Sequence, residues 1–208
     1  HKLINLFISG GVVMWPLLFI SIVTLACIIE RLVFWTKLNR KNHKIADLIL
    51  EQYKINSKGF IDFLHKKNKN TYSQILINIF NMEFFNEKDF EKGLEINLIN
   101  NNKEFNKYGT LFNLTIGIAP LLGLLGTVLG LMNSFSFIDL GSVGANTKEV
   151  TGGISEALVS TAYGLIIAIF TISFSSYFNS RKRNEIISLR EFGVKFQILF
   201  FNKLSKKF

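Results

Sequence analysis

Three polar side chains lie in or next to long apolar runs, where they could take part in moving an ion. Glu156 directly precedes a charge-free stretch, Ala157 to Ser180, and Thr161 lies inside that stretch. Thr127 lies in the middle of another charge-free stretch. Polar groups at membrane depth are costly, and they usually mark an ion path or a contact between helices. A carboxylate and two hydroxyls so placed could line an ion path or hold water in a narrow lumen.

Each of these side chains also has an ordinary structural interpretation. The hydroxyls of Thr127 and Thr161 can bond back to carbonyl groups of their own helices. Glu156 can be an interfacial acid that the positive end of a helix dipole stabilises. Glu156 and Thr161 are five positions apart, about 140° around a helix, so an ideal helix cannot aim both at one axis. Residue types and spacing leave both interpretations open.

Small residues accompany the hydroxyls at spacings of three and four in both stretches. Such spacing places them along one face of each helix. Small faces allow helix backbones to approach closely in lipid, so these residues predict a packing seam between two membrane helices. The predicted seam comprises Gly123, Gly126, Gly130, Gly164 and Ala168.

The apolar residues of the chain concentrate in three runs without formal charge. The chain has 208 residues, 49% of them hydrophobic, and the runs are Leu3–Ile29, Gly109–Ile138 and Ala157–Ser180. Crossing a bilayer takes about 20 apolar residues. Buried helices of soluble proteins rarely lack charge over so many turns. The sequence therefore predicts an all-α membrane protein with three transmembrane helices and long helical cytoplasmic extensions.

Basic residues are divided unevenly among the segments that flank these runs. Of 24 Lys and Arg residues, 13 lie within 37–107 and eight within 181–207, whereas only Lys2 precedes the first run and only Lys148 separates the second from the third. The positive-inside rule places the two basic segments in the cytoplasm and the other two segments outside. This distribution argues against a nucleic-acid partner. The basic residues beside the first and third runs predict contact with anionic phospholipids.

Seven segments follow from the runs and the charges. They are an outward N-terminus (1–10), transmembrane helix 1 (11–35), a cytoplasmic helical domain (36–107), transmembrane helix 2 (108–138), an outward loop (139–153), transmembrane helix 3 (154–180) and a cytoplasmic C-terminal tail (181–208). Trp15 and Trp35 are expected at the two membrane interfaces of the first helix. Glu30 and Arg31 are expected to form a solvated ion pair at its end.

The segment 36–107 has apolar residues at helical spacing. Asn86 is predicted to cap a helix that carries Glu87 and Asp89 in its first turn and continues without a break into the second span. The sequence contains no Gly-rich phosphate loop, no Cys/His metal spacing and no nucleophile elbow. It therefore predicts a protein that is not an enzyme, with no catalytic residue, cofactor or metal site.

Motifs in all three runs resemble the ExbB/TolQ/MotA proton-channel family. Gly11-Val-Val-Met-Trp-Pro-Leu-Leu, followed by Glu30-Arg31, is similar to the first-span signature. Ala119-Pro-Leu-Leu-Gly-Leu-Leu-Gly-Thr-Val-Leu-Gly resembles the second-span motif, and Gly153-Ile-Ser-Glu-Ala-Leu-Val-Ser-Thr-Ala-Tyr-Gly-Leu the third. The resemblance covers the three spans and their order. Three spans fit the ExbB and TolQ branches better than MotA, which has four.

The resemblance implies a pentamer of this chain in the bacterial inner membrane, with a periplasmic N-terminus and a cytoplasmic C-terminus. A dimer of an ExbD-like single-span protein would occupy the pore and supply the aspartate that carries the proton. Thr127 and Thr161 would line the proton path, and Glu156 would lie near its outer entrance. The complex would energise a TonB-like protein that drives import across the outer membrane. The alternatives are a TolQ-like motor for envelope integrity and a purely structural membrane scaffold.

Overall fold

The computed structural model describes residues 10–82, 86–139 and 147–206, without the side chains at 39–44, 137–139, 147–150 and 156. Every regular element in this described part is an α-helix. The helices are α1 (Met14–Ile55), α2 (Phe60–Lys66), α3 (Thr71–Phe80), α4 (Glu87–Phe105), α5 (Gly109–Asp139) and α6 (Thr147–Ser205). The prediction of an all-α chain is confirmed.

Three helices contain stretches that are long and apolar enough to cross a membrane. They are Met14–Leu38 in α1, Gly109–Ser136 in α5 and Thr151–Ser205 in α6. Large apolar side chains on them stay exposed, for example Phe19 at 70% and Ile169 at 64%. Such exposure is expected where lipid, rather than water, covers the surface. The prediction of three transmembrane helices is confirmed.

The chain divides into two compact units, and each combines distant parts of the sequence. The first, which we name the membrane unit, comprises the described residues of 1–30 and 108–177. The second, the polar unit, comprises those of 31–107 and 178–208. The sequence alone separates 181–208 as a tail, whereas in the structure these residues belong to the same compact unit as 31–107.

Close packing and hydrogen bonds hold the membrane unit together. Met14 and Leu17 of α1 and Ala119 of α5 are buried against one another. Lipid tails are as apolar as these side chains, so burial alone gives little preference for helix contact over lipid contact. A buried hydrogen bond between the hydroxyls of Thr24 in α1 and Thr115 in α5, with 2.9 Å between the oxygens, adds a specific link.

The polar unit has a conventional core rich in aromatic rings. The ring of Phe196 in α6 stacks on Phe60 at a centroid distance of 5.5 Å and on Phe90 at 6.2 Å, and all three side chains are buried. Tyr72 in α3 is also buried, and burial together with nearby carboxylates raises the pKa of its hydroxyl. The burial of these rings from water stabilises this unit through the hydrophobic effect.

Helix α4 begins as predicted and ends earlier than predicted. The Asn86 side-chain oxygen accepts a hydrogen bond of 2.9 Å from the backbone N–H of Asp89, which confirms the predicted cap. The prediction of an unbroken helix into the second span is wrong, because α4 ends at Phe105 and a turn precedes α5. Tyr108 in that turn has a φ of 67°, in the left-handed region that no α-helix contains.

The expectation of a solvated side chain at Arg31 is wrong. Arg31 is only 2% exposed, and its Nη1 donates a hydrogen bond of 3.2 Å to the backbone carbonyl of Glu104. The guanidinium carbon also lies 4.3 Å from the centre of the Phe34 ring. A cation is favourable at this position because the last turn of α4 carries the negative end of its helix dipole.

The two tryptophans at the predicted ends of the first span differ in their surroundings. Trp15 is 67% exposed, as expected of an indole at a membrane interface. Trp35 is buried inside the polar unit, and its ring centre lies 5.4 Å from that of Phe105. The indole of Trp35 therefore forms part of a packed aromatic cluster, and its position at the membrane interface stays a prediction.

Candidate functional site

The two threonines predicted from the sequence meet at a contact between α5 and α6. The hydroxyl oxygens of Thr127 and Thr161 lie within hydrogen-bonding distance of each other. Thr161 also donates to the backbone carbonyl of Gly123 at 2.8 Å. Either hydroxyl can be the donor in the contact between them, because Thr127 also has carbonyl acceptors within reach. The two hydroxyls therefore form a short chain that ends on a carbonyl group of α5.

Carbonyl groups from both helices surround this hydroxyl pair. The Thr127 hydroxyl also lies 3.2 Å from the carbonyl oxygen of Gly123 and 3.4 Å from that of Ala157. These distances allow Thr127 to exchange its proton among three acceptors by rotation about one bond. The sequence left open whether the hydroxyls bond back to carbonyls of their own helices or hold water in a narrow lumen. In the structure, Thr127 reaches a carbonyl of its own helix at Gly123, and Thr161 bonds to the same carbonyl across the helix contact.

Glycines allow the two helices to approach closely enough for this contact. A Cβ atom added at Gly123 would lie 2.9 Å from the carbonyl oxygen of Ser160 and from the Cα atom of Thr161. A Cβ atom added at Gly164 would overlap the backbone carbonyl of Ala119, and it would lie 3.2 Å from the Cα atom of Gly123. Any larger residue would force the backbones apart and lengthen the hydrogen bonds of the hydroxyl pair.

The other predicted seam residues lie along the same helices. A Cβ atom at Gly130 would lie 2.8 Å from the carbonyl oxygen of Gly153, and one at Gly126 would overlap the Ser160 side chain. Ala168 is 8% exposed. The structure thus brings Gly123, Gly126, Gly130 and Gly164 together at one helix contact, and it places Ala168 in a buried position of α6.

Ser160 belongs to the same polar cluster and was not singled out from the sequence. It is fully buried, and its hydroxyl donates to the carbonyl of Ala157 at 2.9 Å, with the Gly123 carbonyl at 3.4 Å. The sequence contained a usable signal, because Ser160 is a polar residue four positions before Gly164 on the small face of α6. Thr24 and Thr115 were missed for a different reason, since neither lies on a small-residue stripe.

Glu156 lies in α6, one turn before Ser160, and its side chain is outside the described part of the structure. The loop predicted at 139–153 is only partly described, because 140–146 fall outside it. Whether Glu156 and Thr161 share a pore therefore stays a prediction. Among the described residues, no group of three His, Cys, Asp or Glu side chains is placed to hold a metal ion.

The chemistry that this cluster can perform follows from its composition. Hydroxyl groups donate and accept hydrogen bonds, but they do not hold a charge at neutral pH. Thr127, Ser160 and Thr161 can therefore orient water or a carboxyl group and pass on a hydrogen bond. A group that gains or loses a charge at neutral pH would have to come from outside this hydroxyl cluster.

Comparisons with known proteins relate this chain to one family of membrane proteins. The sequence profile of the MotA/TolQ/ExbB proton channel family matches residues 66–191. The protein named ExbB-like 3 of Synechocystis sp. is 38% identical over 187 residues, which are 89% of this chain and 86% of that protein. The biopolymer transport protein ExbB of Helicobacter pylori is 34% identical over 106 residues, 50% of this chain and 69% of its own length. The Tol-Pal system protein TolQ of Pseudomonas aeruginosa is 38% identical over 95 residues, 45% of this chain and 40% of its own length.

Proposed function

Since the chain belongs to the MotA/TolQ/ExbB proton channel family, we propose that it is an ExbB-like subunit of a motor driven by the proton-motive force. With an ExbD-like partner, the motor energises TonB-dependent import across the outer membrane. The observation that carries this proposal is the Thr127–Thr161 hydroxyl contact at the centre of two membrane helices. Two hydroxyls with several acceptors within reach are what a proton path would require at this depth.

The proposed assembly is a pentamer around a pore that holds a dimer of the single-span partner. Asn113 supports an oligomer, because it is exposed in the single chain although it lies within the membrane-spanning stretch of α5. An amide group that faces lipid lacks hydrogen-bond partners, so it is expected to face another chain or a water-filled lumen. A TonB-like protein and anionic phospholipids are the other proposed partners.

In the proposed orientation, the N-terminus is periplasmic, and the polar unit is cytoplasmic. The distribution of basic residues supports this orientation, with 13 in 37–107 and eight in 181–207. The proposed location is the bacterial inner membrane, where the proton-motive force acts. One charge that crosses 100 mV releases about 2.3 kcal/mol, so a few protons supply substantial work.

In the proposed mechanism, the partner's carboxyl group binds a proton and passes beside Thr127 and Thr161. Their hydroxyls hydrogen-bond the carboxyl group in either protonation state, because each hydroxyl can both donate and accept. Glu156, near the outer end of α6, would raise the local proton concentration at the entrance. Proton release on the cytoplasmic side would then let the partner move by one step.

The test replaces Thr161 with valine, which has nearly the same shape and no hydroxyl. We expect Thr161→Val to lower TonB-dependent uptake and proton flux by about tenfold or more, while the complex still assembles. Thr171→Val is the matched control, because Thr171 is buried in the same helix and its hydroxyl donates only to its own helix, to Ile167 at 2.7 Å. Normal flux in Thr161→Val would refute the proton-path role.

Two other functions make different predictions. The similarity to TolQ of P. aeruginosa favours, as a second candidate, a TolQ-like motor for envelope integrity. Affinity purification followed by mass spectrometry separates the two, because a TonB-like or a Tol-like third protein would accompany the single-span partner. For a structural scaffold, Gly164→Leu would prevent assembly, and Thr127→Val and Thr161→Val would both keep full activity.

A further inference from the structure

A groove with basic and apolar walls lies in the polar unit, between α4 and α6. It encloses about 440 Å³. Lys182, Arg183 and Ile187 of α6 line one wall, and Ile99 and Asn102 of α4 line the other. This surface has no role in the proposed proton path, and we refer to it as the basic groove.

The position of the basic groove along α6 places its Lys182–Arg183 end next to the membrane. The charge-free stretch of α6 ends at Ser180. Lys182 lies two residues after Ser180, and Arg183 lies three residues after it. At ~1.5 Å per residue, they lie about 3–5 Å beyond the apolar stretch along the helix axis. The headgroup layer of one leaflet is roughly 5–7 Å thick, so both side chains reach lipid headgroups.

Two cations in the basic groove are available to bind an anion. Arg190 at the far end is paired with Glu95 at 3.3 Å, so its charge is compensated. Lys182 donates one hydrogen bond of 2.8 Å to the Asn106 side chain, which leaves two of its N–H groups. Arg183 is exposed and makes no ion pair with any residue that the structure describes.

The walls between these charges are apolar and partly open. Ile99 is 49% exposed and Ile187 is 56% exposed. A small inorganic anion would leave both isoleucines uncovered. A ligand with a phosphate group and an adjoining glycerol or hydrocarbon part would pair with the cations and cover the isoleucines together.

We propose that the basic groove binds the headgroup of an anionic phospholipid such as phosphatidylglycerol. The phosphate accepts hydrogen bonds from Lys182 and Arg183, the Asn102 amide donates to a headgroup oxygen, and the glycerol part contacts Ile99 and Ile187. The proposed cytoplasmic placement of the polar unit assigns this lipid to the inner leaflet, and only that assignment depends on the proposed function.

The test measures lipid binding to the purified full-length complex in detergent. Phosphatidylglycerol is titrated against phosphatidylcholine, and retained lipid is counted by native mass spectrometry. We expect Lys182→Gln/Arg183→Gln to weaken phosphatidylglycerol binding about 30-fold, because each basic group near an anionic surface contributes roughly a factor of five. Lys66→Gln/Lys206→Gln removes the same charge from exposed positions outside the basic groove, and we expect it to retain nearly wild-type binding.

Further controls separate the lipid from other occupants. Asn106→Ala breaks the Lys182–Asn106 bond and keeps the charge, so we expect lipid binding to persist. Inorganic phosphate alone is expected neither to stabilise the complex nor to displace the lipid. Equal loss in both double variants, competition by inorganic phosphate, or dissociation of the oligomer in Lys182→Gln/Arg183→Gln without lipid would each overturn the proposal. Uptake and proton flux are separate measurements, so either proposal can fail alone.

Discussion

At the scale of the residue, threonine has several structural roles in this chain. Thr127 and Thr161 contact each other across two helices, Thr24 pairs with Thr115, and Thr171 bonds only to its own helix. A hydroxyl in an apolar helix always finds an acceptor, because an unpaired polar group in hydrocarbon is costly. Which acceptor it finds depends on the neighbouring helix, and this decides whether the hydroxyl links two helices or bonds within its own.

Arg31 provides a test of a buried charge outside the proposed path. Arg31→Met keeps an apolar side chain at this position. It removes the N–H group that donates a hydrogen bond to the Glu104 carbonyl. We expect the folded state to lose about 1–2 kcal/mol, visible as a lower unfolding temperature in detergent. Arg31→Lys keeps the charge and is expected to recover part of the loss. An unchanged unfolding temperature in Arg31→Met would contradict a stabilising role for this bond.

At the scale of the element, small and polar residues recur along one face of α5, and this face divides into two parts. It includes Asn113, Gly117, Gly123 and Gly130. Its second half, from Gly123 to Gly130, packs against α6. The first half includes Gly117, where an added Cβ atom would meet nothing within 4 Å, and Asn113, which is exposed. The same spacing in the sequence therefore covers a helix contact within the chain and a surface that is open to another chain or to lipid.

Alanine substitutions at two glycines test this division. Gly164→Ala is expected to destabilise the membrane unit by about 1–3 kcal/mol, because the new methyl group would overlap the Ala119 carbonyl. Gly117→Ala adds the same methyl group to an open position and is expected to be neutral or to stabilise by about 0.5–1 kcal/mol. The measurement is the unfolding temperature of each variant in detergent, and equal effects at both sites would contradict the division.

At the scale of the whole molecule, the polar unit combines the middle of the chain with its last described helix. Lys203 near the end of α6 donates to the carbonyl groups of Tyr53 and Lys54 at 3.1 and 3.2 Å, in the last turn of α1. These bonds place a cation at a helix C-terminus, where the helix dipole favours it. The last turn of α1 and the end of α6 are thus linked within the polar unit.

The orientation of the whole molecule is open to direct measurement. Two single-cysteine variants are made in a Cys27→Ser background, which removes the native thiol. Lys66→Cys places a thiol in the polar unit, and Thr151→Cys places one at the first residue of the membrane-spanning stretch of α6. Both native residues are exposed. We expect a membrane-impermeant thiol reagent to label Thr151→Cys in intact spheroplasts and Lys66→Cys only after the membrane is opened. The reverse pattern would contradict the proposed orientation.

Sequence by itself determined the fold class, the three spans, the cap at Asn86 and the residue types of the candidate site. These features depend on local composition and periodicity, because a bilayer imposes length and polarity on each span separately. Tertiary structure decided that Thr127 meets Thr161, that Ser160 joins them, that Arg31 is buried and that α4 stops before α5. Each of these depends on a neighbour far away in the chain, and the hydrogen bonds and backbone clearances involved arise only when the helices pack.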